Sequence, residues 1–179
     1  EITLAQKEAY YRHICQKRHV REPGLVEKCR LLSPGDLTRW EPQDDDNDGQ
    51  YTSMYLAMEC FRYAVTQSED ARQNAQRAFA ALRFLQTVTN TAGFVARTVI
   101  PSTWTEMADR NVSYTAQQWA DQHVRDPRNT RVERRWRLSQ DGKWRWKGDT
   151  SSDEITGHMY GYLFYHDLEA VIENVDVST

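Results

Sequence analysis

The sequence has few cysteines, and none of them pairs at the spacing of a metal site or a redox motif. It contains three, Cys15, Cys29 and Cys60, which is an odd number. A disulfide framework or a zinc site is therefore not expected. Cys60 falls in an apolar stretch, and we interpret it as a small buried hydrophobic residue.

Long apolar runs and a marked excess of charge are also missing. No stretch approaches the ~18 apolar residues of a membrane-spanning helix, and the net charge is −3. Membranes and nucleic acids are therefore not expected partners. Basic residues do gather between Arg125 and Arg145, but acidic residues interrupt them, and a solvated hairpin face is the preferred interpretation.

Aromatic residues, in contrast, are abundant. The 179 residues include six tryptophans and nine tyrosines, and 39% of the chain is hydrophobic. This length and composition predict a single domain, 1–179, with a hydrophobic core. So many aromatic side chains are typical either of an ordinary core or of a surface that stacks on flat, partly apolar ligands.

Hydrophobic periodicity predicts a mainly α fold. Helices are expected over residues 3–19, which open with a capping box, and over 115–124. Residues 50–66 and 151–174 are apolar on nearly all sides, so both segments are expected to be inner helices surrounded by others. Residues 68–88 are amphipathic and are expected to form an outer helix, paired as a hairpin with the first inner one.

Short strands are expected between the helices. Residues 25–32 and 37–40 flank a Ser-Pro-Gly-Asp turn, and residues 132–138 and 143–147 flank an Asp-Gly turn. Both patterns predict β-hairpins, and residues 94–99 predict one more strand. The β-structure is thus expected to be small insertions in a helical fold.

Both expected inner helices begin at polar loops. One loop runs from Asp44 to Tyr51 and the other from Trp144 to His158. In a ring of helical hairpins, the starts of the inner helices lie at one end and surround a central cleft. The sequence therefore predicts that the functional chemistry is carried by these two loops.

Three segments resemble a known group of proteins: DNDGQYTSMY at 46–55, GFVART at 93–98 and KWRWKGDTSSDE at 143–154. They are similar to segments of bacterial secreted proteins with helical-toroid catalytic domains, some of which are polysaccharide lyases acting on rhamnose-glucuronate linkages. The resemblance covers about two thirds of the chain. It implies an α/α toroid, an extracellular or periplasmic location, a polysaccharide or oligosaccharide substrate, and either elimination at a uronate or glycosidic hydrolysis.

A full toroid needs about twice this length, so the chain is expected to supply about half of one. An isolated half-ring would expose the apolar faces of its inner helices. A partner chain or self-association is therefore expected to complete the ring.

The first polar loop has three interpretations, one of which is that Asn47-Asp48-Gly49 presents a carboxylate or an amide to a sugar. Asp44, Asp46 and Asp48, followed by Gly49, match the opening of a calcium loop, because alternate carboxylates can converge on one hard cation. The pattern fails at its twelfth position, where Tyr55 replaces glutamate. In the alternative, Asp48 simply caps the following helix.

For β-elimination, a base must remove the proton beside the substrate carboxylate, and a cation or an amide must neutralise that carboxylate. His158 and Tyr162 lie four residues apart on one helical face and are candidates for base and acid. Arg97 and Asn47 are candidates for neutralising the carboxylate. The alternative for His158 is a core histidine bonded to its neighbours.

For hydrolysis, Asp48 and Asp153 are the candidate pair, because two carboxylates must face each other across the scissile bond. The alternative is again structural, since Ser151 and Glu154 match a capping box and Asp153 suits the first turn of a helix.

A sugar platform is predicted from Trp144, Trp146 and Tyr51, with Lys147 and Asp149 as further substrate-binding residues. The two tryptophans alternate with cations, so both are expected on one face of a strand, either under sugar rings or under helices. Three functions follow from these residues: a polysaccharide lyase, a glycoside hydrolase, or a non-catalytic glycan-binding or assembly subunit.

Overall fold

The computed structural model describes residues 1–128 and 130–177, and it describes side chains up to residue 168 in the last helix. Within these ranges the chain is mainly helical, with small antiparallel sheets. The helices are α1 (Leu4–Ile14), α2 (Asp48–Thr66), α3 (Glu69–Thr87), α4 (Ala116–Arg125) and α5 (Ser152–Val177), and a π-helical turn, Cys15–His19, continues α1. Each predicted helix is present, and its start lies within two residues of the predicted one.

The strands are short and pair in three groups. They are β1 (Val20–Arg21), β2 (Leu25–Val26), β3 (Cys29–Leu31), β4 (Trp40–Pro42), β5 (Val99–Pro101), β6 (Trp136–Leu138) and β7 (Trp144–Lys147). The sheets are β1-β2, β3-β4 and β5-β7-β6, all antiparallel. Both predicted hairpins are therefore confirmed, with shorter strands than the sequence suggests.

The strand predicted at 94–99 is wrong in its position. Residues before Val99 form a loop because their backbone groups bond to two different elements. Ala96 donates to the carbonyl of Leu85 at the end of α3 (2.8 Å), and Arg97 donates to the carbonyl of Lys147 (2.8 Å). Regular pairing with β7 begins only at Val99, which lies opposite Trp146.

Helix α2 lies at the centre of the fold and packs against both α3 and α5. The amphipathic pattern of α3 is confirmed, because its apolar side is buried: Ala71, Ala75, Ala78, Ala81, Leu82 and Leu85. Helix α3 also contacts α5, where Phe79 stacks on Tyr165 with ring centroids 4.0 Å apart. The core thus sits around α2.

Two glycines set the distance between α2 and α5. A Cβ atom on Gly157 would lie 2.6 Å from the Cα atom of Gln50, and one on Gly161 would lie 3.0 Å from the Cβ atom of Ser53. Larger residues at either position would push the helices apart. This close approach brings the starts of α2 and α5 together.

Within this chain, α2 and α5 are not surrounded on all sides, which agrees with the exposed inner faces expected of an isolated half-ring. Each helix leaves an apolar strip exposed, and every member of the strip is at least 46% exposed: Met54, Phe61 and Val65 on α2, and Met159, Tyr160 and Leu163 on α5. We call these six residues the α2–α5 face. Within the described ranges, no helix combines the length and apolar character needed to cross a bilayer.

Candidate functional site

The two polar loops meet where α2 and α5 begin. The backbone N–H of Gln50 donates to Oε2 of Glu154 (3.2 Å), although 104 residues separate the two. In the amide orientation that satisfies its neighbours, Asn47 donates to Oδ2 of Asp153 (3.3 Å). Helix α2 has no capping bond from the side chain of its own N-cap residue. The carboxylate of Glu154 therefore supplies the anion that the start of α2 requires.

The capping box predicted from Ser151 and Glu154 is wrong. The hydroxyl of Ser151 donates to Asp153 instead, and the Glu154 side chain turns inward, where it is fully buried. That hydrogen bond holds the pKa of Asp153 below its usual range. Asp153 is thus an exposed, ionised carboxylate at neutral pH, whereas burial raises the pKa of Glu154.

His158 belongs to a chain of buried hydrogen bonds. Its Nε2 lies 3.1 Å from Oε1 of Glu154, and its Nδ1 lies 2.9 Å from the hydroxyl of Tyr162. Gln86 on α3 donates to that same hydroxyl (2.6 Å). With the His158 residue 1% exposed and both ring nitrogens engaged, a substrate proton does not reach it in this arrangement. The core-histidine alternative fits the geometry, and burial also raises the pKa of Tyr162 to about 12.

The carboxylate of Asp48 forms a buried ion pair with Arg21. Asp48 is the first residue of α2 and is 0% exposed, and its Oδ2 accepts from Arg21 and from the hydroxyl of Thr98. Arg21 also donates to the carbonyl of Val99 (2.9 Å). A glycosidic bond cannot reach this carboxylate, so pairing Asp48 with Asp153 as hydrolytic acid and base is wrong.

Sequence reasoning missed Glu27, which lies beside Asp48 and is equally buried. Burial and the neighbouring Asp48 carboxylate raise the pKa of Glu27 to about 9. Its Oε1 accepts from the backbone N–H of Lys28 (2.5 Å), and its Oε2 has no donor. A proton on Glu27 resolves this, because the protonated group donates a hydrogen bond to Asp48. The only sequence signal was a glutamate next to a short strand.

The three aspartates of the proposed calcium loop go to three different partners. Asp44 accepts from the backbone N–H of Ala108 (3.0 and 3.2 Å), Asp46 pairs with Lys147, and Asp48 pairs with Arg21. Among the side chains that the structure describes, which end at residue 168, no three from His, Cys, Asp or Glu are placed to hold a metal ion. The calcium interpretation therefore finds no support.

Lys147 and Arg97 serve inside the molecule. The Lys147 side chain is 0% exposed and pairs with Asp46 and Asp109 (2.7 Å). Burial lowers the pKa of Lys147, but the hydrogen bonds to Asp109 and Asp46 outweigh it and raise the pKa overall. Arg97 donates to the carbonyls of Asp46 and Asp149. Both cations thus hold the first polar loop against β7, so neither is free to bind a uronate.

Asp149 is also paired internally. It lies 3.3 Å from Nε of Arg135 and 3.9 Å from Nζ of Lys147. This second polar loop is therefore held by ion pairs as the first one is, and the carboxylate predicted to bind substrate acts as an internal anchor.

The tryptophans of β7 pack under the helices. Trp146 is buried and meets Phe94 edge-on (6.0 Å between centroids), and Trp144 meets Phe84 of α3 in the same way (5.2 Å). The packing alternative is correct for both, and they do not form a sugar platform. Tyr51, in contrast, is 42% exposed at the start of α2. Of the predicted residues, Tyr51 and Asp153 are exposed at the shared end of α2 and α5, and Asn47 is half-buried there.

No protein-family model, curated protein or solved structure matches this chain. Its function must therefore be argued from the geometry of the two loops, from the exposed surfaces, and from the resemblance of the three sequence segments.

Proposed function

We propose that this chain is a glycan-binding and assembly segment of a helical carbohydrate-active domain. The α2–α5 face packs against another helical segment of that domain, and the shared start of α2 and α5 forms one edge of its glycan cleft. The observation that carries the proposal is the exposed α2–α5 face, joined directly to a polar end whose loops are held by buried ion pairs.

The shape of the apolar surface supports a helical occupant. A groove with a volume of ≈ 740 Å³ runs between α1, α2 and α5, and it is lined by residues that include Ala5, Ala57, Met58, Phe61 and Tyr160. Amphipathic helices bind in such grooves through residues on a single face. Glu8 and Arg12 lie at its edge on α1 and supply a polar rim.

The buried polar network supports a binding role over catalysis. The groups predicted to act as base, as acid and as carboxylate-binding cation are bonded to one another or to the backbone. Such a network fixes the starts of α2 and α5 rigidly but offers substrate only Asn47, Tyr51 and Asp153. An amide, an aromatic ring and a carboxylate suit the binding of sugar hydroxyls and the stacking of a sugar ring.

Assembly is tested by measuring the molar mass in solution. Because the apolar face is open, the chain alone should self-associate as its concentration rises from about 1 to 200 µM, measured by light scattering after size-exclusion chromatography. Phe61→Glu combined with Leu163→Glu should remain monomeric with unchanged far-UV circular dichroism. A control, Val124→Glu, places one such charge on an exposed apolar residue of α4 and should associate like the wild type. A wild-type chain that is monomeric throughout refutes the assembly role.

A lyase is the second candidate, and one observation favours it. Tyr162 lines a hollow of ≈ 400 Å³ together with Arg83 and Gln86. The Glu154–His158–Tyr162 chain therefore ends at a surface where Arg83, in place of Arg97, would face a uronate. Elimination would produce an unsaturated uronate that absorbs in the near ultraviolet. Tyr162→Phe should abolish that signal and Tyr165→Phe should not, whereas glycan binding with no such signal from the wild type excludes this candidate.

A further inference from the structure

A second surface, which the first polar loop touches only at Asp44, has the features of a sugar site. It is a hollow of ≈ 480 Å³ between the β3-β4 hairpin and the loop that follows β5. Its lining includes Trp104, Arg30, Glu41, Asp44 and Glu106. The volume lies within the range of about 300–1,000 Å³ that is typical of small-molecule sites.

The indole of Trp104 is held in place before any ligand binds. Its backbone N–H donates to the carbonyl of Pro101 (3.0 Å), and its carbonyl accepts from Nη1 of Arg145 (2.9 Å). The guanidinium of Arg21 lies 5.5 Å from the ring centroid. Because Arg21 belongs to the buried pair with Asp48, it fixes the ring from one side. A fixed aromatic ring binds with little loss of conformational entropy.

The two walls of the hollow are also tied together. Arg30 and Glu41 are directly opposite in the β3-β4 hairpin, and their side chains form an ion pair. Between the two walls, the buried carboxylate of Asp44 accepts a hydrogen bond from the backbone N–H of Ala108. The hollow is therefore built from cross-strand pairing and a buried carboxylate, and its walls keep a defined spacing.

The charges around the hollow select the kind of sugar. Its lining carries the carboxylates of Glu41, Asp44 and Glu106 against the single guanidinium of Arg30. This excess of negative charge repels an acidic sugar, while carboxylate and guanidinium groups bond well to hydroxyls. A neutral pyranose, with an apolar C–H face and a rim of hydroxyls, complements the indole and the charged edge.

The hollow continues on the other side of Trp104. A neighbouring hollow of ≈ 310 Å³ shares Trp104 and Pro42 and is also lined by Trp40. The ring of Trp40 has the ammonium of Lys17 5.8 Å from its centroid. Trp40 is thus a second indole available to the next sugar unit.

We propose that the hollow at Trp104 is a binding subsite for a neutral pyranose unit of an oligosaccharide, with Trp104 as its stacking platform. The choice of a glycan as ligand rests on the function proposed above, and the site deepens that function by locating glycan recognition away from the start of α2 and α5.

The test measures the binding of neutral trisaccharides, cellotriose and maltotriose, and of acidic trigalacturonate, by isothermal titration and ligand-observed NMR. At least one neutral probe should bind, and trigalacturonate should bind more weakly at low salt. Trp104→Ala should weaken neutral binding by about tenfold, and Trp104→Phe by less than about threefold, because stacking is retained. Trp119→Ala, which removes a half-buried indole on α4, should change nothing.

Two further variants keep the proposal open to refutation if Trp104→Ala does not fold. Thr105→Trp fills the hollow from an exposed lining position and should abolish binding. Glu41→Gln combined with Glu106→Gln should strengthen trigalacturonate binding relative to neutral binding, because it removes two of the carboxylates that repel the acidic sugar. Absence of neutral binding, equal binding by Thr105→Trp, or a preference for trigalacturonate in the wild type overturns the proposal.

The same variants distinguish a failure of the proposed sugar subsite from a failure of the proposed assembly role. Thr105→Trp lies outside the α2–α5 face and should associate like the wild type. Phe61→Glu with Leu163→Glu should block association but leave neutral sugar binding unchanged.

Discussion

Replacing Glu27 with glutamine should change how the free energy of unfolding depends on pH. Because burial and Asp48 raise the pKa of Glu27 to about 9 in the folded chain, Glu27 keeps its proton at neutral pH. In the unfolded chain an exposed glutamate, with a pKa near 4.3, has lost its proton by about pH 6. Folding then takes up one proton, and the free energy of unfolding must fall as the pH rises.

The magnitude follows from linkage. Between its ordinary pKa and about 9, the native chain binds one more proton at Glu27 than the unfolded chain does. Each pH unit in that window therefore lowers the free energy of unfolding by about 1.4 kcal/mol. From pH 6 to pH 8 the loss amounts to about 2–3 kcal/mol. Glu27→Gln does not titrate and still offers an N–H donor to Asp48, so it lacks this loss.

The assay is urea unfolding followed by far-UV circular dichroism at pH 6, 7 and 8. Subtracting the wild-type free energy from that of Glu27→Gln cancels the histidines and the other carboxyls, and the difference should rise by about 2–3 kcal/mol across the series in favour of the variant. Glu8→Gln, at an exposed position on α1, should give a difference that does not depend on pH. A flat difference for Glu27→Gln, or one that falls as the pH rises, refutes a protonated Glu27.

Three further substitutions test the contacts that join α2, α5 and β7. Gly157→Ala should lower the free energy of unfolding in urea by about 2 kcal/mol, because its Cβ atom would lie 2.6 Å from the backbone of α2. Gly161→Ala faces a serine side chain and should lower it by less. Equal losses for the two variants would contradict the close approach. Lys147→Met should cost about 2–3 kcal/mol, since it leaves carboxylates unpaired, and a neutral result would contradict the buried ion pairs. Glu154→Ala removes the cap of α2 and should lower the free energy of thermal unfolding by about 2 kcal/mol. Asp153 is exposed, so Asp153→Ala should lower it by less than about 0.5 kcal/mol.

The helices were predictable because their signals are local. Thr3 with Gln6 forms the capping box that their spacing indicates, and the period of α3 selects the face that is buried. Strand bounds were less predictable, because they depend on partners distant in sequence. Val26 pairs with Val20 rather than entering the β3-β4 hairpin, and no local pattern at Val26 reveals that choice.

The candidate site was harder to predict, because a helix cap and a catalytic acid require the same residue types. Glu154 carries a capping-box signature with Ser151, yet its carboxylate caps another helix more than 100 residues away in sequence. Lys147 alternates with tryptophans as a surface cation would, yet it is fully buried between carboxylates. Spacing gives the residue types at a helix start, and only the fold decides which of them meet solvent.

The convergence of two helix starts explains why these polar groups are buried. Each helix start has unsatisfied N–H groups and a partial positive charge, so placing two of them side by side is unfavourable without anions between them. Asp48 on α2 and Glu154 on α5 supply those anions, and Arg21 compensates the first of them. The close helix packing set by Gly157 therefore requires the acidic loops whether or not a glycan binds. Glycan recognition is then left to the exposed side chains of Tyr51 and Asp153 at the edge of this network, where Asn47 bonds to Asp153.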